Sequence, residues 1–243
     1  MRRCRMSAEQ IRNEQKAAEK YKLSSIKDEP HLVALTEDNV ARVEAMIQTD
    51  SNYRTSLEDE KKSPLWIKRM GDFLTGKSRD YQFKVIIGKI VEFLDKENST
   101  HLNADGCGRE KIKRRILIRE KEILESLENR ERGFELIDFL SGRTKPGKGG
   151  RRNVSFASKF CHFSCFYIFE GEEAQDNFSI YDGVVAKALP KYLAYYKLND
   201  RFKIKDKDYE GYSKAIDAII EASGSKISRN GFDHLVWYYF KGK

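Results

Sequence analysis

Ser141-Gly-Arg-Thr-Lys-Pro-Gly-Lys-Gly-Gly-Arg-Arg-Asn153 separates two apolar-patterned segments, and its reading decides what kind of helical protein this is. Five cations fall in the ten residues from Arg143 to Arg152, interleaved with Gly147, Gly149 and Gly150. Glycines let backbone amides approach an anion, and the N-terminus of a following helix adds partial positive charge. The stretch therefore suits a phosphate held between two helices. No Gly-Lys-Ser or Gly-Lys-Thr follows at the needed spacing, which excludes a Walker A loop. An exposed basic connection is the other reading of the same residues.

Outward from this turn, apolar residues recur at spacings of three and four. Upstream they predict a charged helix from Arg109 to about Glu131, with Ile112, Ile116, Ile123, Leu124 and Leu127 along one side, and a shorter one from Gly133 to Leu140. Downstream, Val154 to Phe160 reads as the helix that follows the turn. Nearer the N-terminus, Ser7 is placed to cap a polar helix from Ala8 to about Leu23, and Pro30 breaks the chain. A second helix then begins near Thr36 with Val40, Val43, Met46 and Ile47 on one face. Ser63 and Pro64 suit the start of a helix carrying Leu65, Ile67, Met70, Phe73 and Leu74, with Gly76 as its stop. Asp80 to Lys96 holds Phe83, Ile86, Ile87, Ile90, Val91 and Leu94, a stripe broad enough for a central helix. Asn98 to Gly108 is turn-rich. Beyond Asp182 the pattern is helical again, apart from the charged stretch Asn199 to Asp208. The expected class is all-α, with 1–62 an N-terminal extension or part of a first lobe and 63–243 the main helical domain.

The chain of 243 residues carries a formal charge of +8 with 35% charged and 12% aromatic residues, which describes a folded basic protein and not a disordered tail. Polyanions are its natural partners, because a cationic face meeting nucleic acid gains from counterion release. A lysine-rich solvated surface is the alternative. Cys4, Cys107, Cys161 and Cys165 form no spaced framework, and no apolar run is long enough for a bilayer. The expected setting is soluble, reducing and cytoplasmic, with no membrane partner.

Pro146-Gly147-Lys148-Gly149 resembles the Pro-Gly-x-Gly turn of the helix-hairpin-helix DNA glycosylases, and Val154 to Phe160 is similar to the post-hairpin helix of the archaeal 8-oxoguanine branch. That family has an acidic residue at the start of the next helix. Phe178-Ser-Ile-Tyr-Asp-Gly-Val-Val-Ala-Lys-Ala-Leu189 fits this pattern, so the likeness runs from about Leu140 to Leu189. The resemblance implies two helical lobes around a cleft and a monomer acting on double-stranded DNA with a damaged or modified base, in base-excision repair or in defence against modified phage DNA. It assigns Lys145, Gly147, Lys148, Gly149, Gly150, Arg151 and Arg152 to the DNA backbone, and it implies no cofactor.

Asp182 is the carboxylate on which this chemistry turns. Breaking a glycosidic bond gives the sugar oxocarbenium character, which an ionised carboxylate stabilises while orienting water. Asp is equally a favoured helix cap. Some family members attack the sugar with a lysine near the hairpin. Here Arg151 or Arg152 stands at that position, and a guanidinium stays charged, so hydrolysis without a covalent adduct is expected. Lys148 and Lys159 remain as substitutes; Lys159 lies two helical turns beyond Arg152, and a phosphate contact or a snorkelling surface lysine also describes it. A flipped base needs aromatic or apolar walls, for which Tyr181 and Trp237 are the leading candidates beside Phe160 and Phe163, although aromatics at helical spacing are also core residues. Cys161, His162 and Cys165 lack a fourth ligand, so no metal site is expected, and the four-cysteine iron–sulfur motif is absent. A non-catalytic helix-hairpin-helix DNA-binding module and a basic helical adaptor are the competing functions.

Overall fold

A computed structural model of the chain describes residues 22–49, 65–78, 82–97, 100, 102, 108–142 and 152–241. They form a short β-hairpin, β1 (Ser25–Ile26) and β2 (Glu29–Val33), and ten α-helices. The helices are α1 (Glu37–Thr49), α2 (Leu65–Leu74), α3 (Phe83–Glu97), α4 (Gly108–Ile118) and α5 (Ile123–Glu128), then α6 (Arg130–Ser141), α7 (Val154–Ile168), α8 (Gly183–Tyr195), α9 (Tyr209–Ser223) and α10 (Arg229–Lys241). The all-α class holds, with the β-hairpin as an addition: Pro30, read as a break, lies on β2. No helix among the described residues is long and apolar enough to cross a membrane. The helix expected over 8–23 lies almost wholly outside the described residues, and Leu23 is not helical. The Ser63-Pro64 start lies outside them too.

The chain divides into two compact units that are not contiguous in sequence. One contains the β-hairpin, α1, α8, most of α9 and α10, so the early residues belong with the C-terminal helices. In it α10 packs on α1 and α8. Buried Asn39 joins the hairpin to α1: its amide donates to Ser24 O at 2.9 Å and Ala34 O at 2.8 Å, and its Oδ1 accepts from Ser24 N at 2.9 Å. Thr36 Oγ1 accepts from Asn39 N at 3.3 Å, as an N-cap side chain should.

The other unit contains α2 to α7 with residues 206–210. Helix α7 packs against α2, α3, α5 and α6, and Val154, Phe156, Phe160 and Cys161 on it are buried. All six apolar residues predicted for the α3 stripe are buried, and Gly76 ends α2 in the left-handed region at φ +72°. The single helix expected from Arg109 to Glu131 is instead broken. Arg119 leaves helical geometry at φ −98°, ψ 10°, and a 3-10 turn, Glu120–Glu122, leads into α5. At the second break Asn129 takes extended geometry and its side chain accepts from Arg132 N, starting α6. A favourable cap inside a charged run won over continuous periodicity.

Asp95 joins α3 to α4. Its carboxylate accepts from Thr100 Oγ1 at 2.8 Å, Leu102 N at 2.9 Å and Arg109 Nε at 2.6 Å. Burial opposes the charge, but these donors and the Arg109 cation outweigh it and hold the carboxyl below the usual aspartate range. Because the folded-state pKa is the lower one, its contribution is present above about pH 4 and is lost as the pH falls through the depressed value. Asp95→Asn should therefore lower the melting temperature at pH 7 and converge on the wild type in strong acid, a trend that melting curves across pH will check.

Candidate active site and nucleic-acid interface

Helices α6 and α7 flank the expected helix-hairpin-helix segment, and its stem is closed. Asn153 N donates to Ser141 O at 2.9 Å, and Arg152 Nη2 pairs with Asp138 Oδ1 at 2.9 Å. Gly142 ends α6 at φ +78°, the left-handed conformation that favours glycine. Two arginines of the preceding segment support this helix end. Arg115 Nη1 donates to Leu140 O at 3.0 Å, and the Arg119 guanidinium lies 4.6 Å from the Phe139 ring centre. Helix C-termini carry partial negative charge, so a cation on their last carbonyls is favourable. Lys145, Gly147, Lys148, Gly149, Gly150 and Arg151 lie outside the described residues. Arg152, assigned by sequence to the DNA backbone, is half-buried and engaged with Asp138.

Helix α7 runs to Ile168, well past Phe160 where the predicted segment stops. Lys159 is half-buried on it. Phe160 is fully buried and stacked on Phe156, which makes it core and not a base contact. Burial pushes both Cys161 and Cys165 thiols far up, with Cys161 adding to the effect on Cys165, and no metal-holding group of His, Cys, Asp or Glu occurs among the described residues. The acidic stretch Glu170 to Asn177 contains a 3-10 turn, Glu173–Asp176, tied down by Asn177 Nδ2 donating to Leu127 O at 2.9 Å.

The segment Phe178 to Tyr181 is fastened at three points. The His162 ring nitrogen Nδ1 donates to Phe178 O at 2.7 Å, Tyr209 OH donates to Ser179 O at 2.8 Å, and Tyr181 N donates to Ser158 Oγ at 2.9 Å. Ser158, His162 and Tyr209 thus hold residues 178–181, and only His162 drew notice in the sequence, as a discarded metal ligand. Tyr181 is half-buried, and its hydroxyl accepts from Lys207 N at 3.1 Å. Desolvation raises its pKa; the Lys207 amide opposes this, and nearby Asp206 adds to it.

Asp182 takes extended geometry at the N-cap of α8, where its Oδ1 accepts from Val184 N at 2.7 Å. The carboxylate is half-buried, and a Cβ added at neighbouring Gly183 would meet nothing within 4 Å. A side chain at position 183 would therefore meet no close neighbour. Trp237, on α10, is half-buried with Lys241 Nζ 4.5 Å from its ring centre. A cavity of about 180 Å³ between Glu131, Phe134, Glu135, Asp138, Asp208 and Glu210 is lined by five carboxylates, which makes it unsuited to phosphate. In comparisons with family models, curated proteins and solved structures the chain finds no match.

Proposed function

We propose that this chain is a monofunctional DNA N-glycosylase of helix-hairpin-helix type, in which Asp182 carries the chemistry and the turn between α6 and α7 contacts the DNA backbone. The observations that support this best are the closed stem at Ser141 and Asn153, which flank the basic glycine-rich sequence, and the carboxylate of Asp182 at the start of α8. Capping orients the Asp182 carboxylate through one oxygen, which accepts from Val184 N. A carboxylate so placed can stabilise an oxocarbenium-like sugar and direct water. Arg152 has no part as an amine nucleophile, since a guanidinium remains charged and this one is paired with Asp138. Damaged bases of genomic DNA and modified bases of phage DNA are the two substrate classes.

The test is a panel of duplexes, each bearing one modified base, incubated with the protein and then treated with alkali. A strand break at the abasic site is expected for at least one base, with no covalent adduct on borohydride trapping. An adduct lost in Lys159→Ala would replace hydrolysis by lysine attack. The second reading is a DNA-binding module without catalysis. The Val184 hydrogen bond favours it, because capping alone accounts for an aspartate at position 182. Salt-sensitive duplex binding with no break at any base would select that reading.

A further inference from the structure

Helix α4 buries Ile112 and Ile116 on one side and exposes Lys111, Arg114 and Ile118 on the other. These three recur at spacings of three and four and so form one stripe, about 10 Å long from the helical rise. Ile118 is 71% exposed, and Val85 on α3, 45% exposed, is the other large aliphatic side chain left open among the described residues. The two helices pack together and share a charge cluster. Lys113 hydrogen-bonds Glu110 at 2.6 Å, and together with Arg114 and with Lys84 of α3 it holds that carboxyl below its usual range. Several cations therefore surround one carboxylate, with an apolar side chain at the edge of the group.

We propose that this α3–α4 face is a second duplex-DNA contact surface, distinct from the 141–153 segment, with Lys84, Lys111 and Arg114 on phosphates and Ile118 against a sugar edge beside them. The proposal rests on DNA being the substrate. Charge complementarity selects this occupant: a duplex carries one charge per about 1.7 Å of axis, and Lys111 and Arg114, about 4.5 Å apart along the helix axis, present two exposed cations to it beside Lys84 of α3. An anionic membrane is disfavoured, because interfacial helices bury a broad apolar face and α4 exposes a single isoleucine on this side. The face belongs to the same compact unit as the stem, where Arg115 of α4 holds the last turn of α6.

Affinity for an unmodified duplex, measured by fluorescence anisotropy at several salt concentrations, separates the contributions. Lys111→Gln/Arg114→Gln should reduce the slope of log K against log salt by about 0.9 for each lost phosphate contact. Ile118→Ser should weaken binding several-fold at every salt concentration with the slope unchanged. Lys203→Gln/Lys226→Gln removes two exposed cations of the other unit and should leave the slope as in the wild type. Melting curves confirm that each variant is folded, and Lys84→Gln provides an independent substitution on α3. Equal slopes for wild type and Lys111→Gln/Arg114→Gln, an equal loss in the control pair, or binding to phosphatidylserine vesicles without duplex binding would each overturn the proposal. Excision plays no part in this readout. Absent base removal with the slope change intact sinks the glycosylase reading alone, and base removal with equal slopes sinks this one alone.

Discussion

Asp182→Asn should remain folded and keep its affinity for duplex DNA while its rate of base excision falls by at least about two to three orders of magnitude. The substitution separates the two roles of one side chain. Asparagine retains an oxygen that accepts from the Val184 amide, now at 2.7 Å from Asp182 Oδ1, and it caps helices about as well as aspartate. The melting temperature should therefore move little. What asparagine lacks is the negative charge that offsets a developing oxocarbenium ion and draws a proton from water. Asp182→Ala removes both roles, and should add a loss of stability of about 1 kcal/mol to the loss of activity. Single-turnover excision of whichever base the panel identifies, followed by melting of the same preparations, gives both quantities. An Asp182→Asn protein that excises at the wild-type rate would remove Asp182 from the mechanism.

Gly133→Ala is expected to destabilise the α6–α7 unit by about 1–3 kcal/mol, the usual cost of forcing an extra methyl into a filled core. A Cβ at this position would lie 2.1 Å from Phe178 Cζ and 2.8 Å from the backbone oxygen of Ser126. Phe178 is fully buried, so its ring has no free space to enter, and the Ser126 carbonyl belongs to a helix. The melting temperature should fall by roughly 2–4 °C per kcal/mol in a chain of this size. Function should suffer as well. The Phe178 carbonyl is the acceptor for His162, and three residues separate Phe178 from the Asp182 cap, so a displaced ring disturbs the segment that leads to it. Phe178→Leu combined with Gly133→Ala should recover part of the loss, since the ring contact is relieved and the Ser126 contact is not. A melting temperature for Gly133→Ala within one degree of the wild type would show that the two helices have room to separate.

What the amino-acid sequence determined by itself is local. The apolar stripe of α3 was legible because residues three and four apart share a helix face whatever surrounds them. Gly76 was legible as a stop, and Asp182 as the first residue before α8, because caps and left-handed ends depend on a few neighbouring residues. The tertiary structure decided whatever needed a distant partner or a choice between two local signals. Asn129 interrupts an otherwise periodic charged run and starts α6, and the run 25–33 pairs with itself although Pro30 lies in it. Arg152, which the resemblance assigns to the DNA backbone, turns back to Asp138 on the preceding helix. The residues that hold Phe178 to Tyr181 come from α7 and from Tyr209, up to 30 positions along the chain. No periodicity encodes such contacts. They arise from the packing of helices whose faces are readable in the sequence and whose mutual arrangement is not.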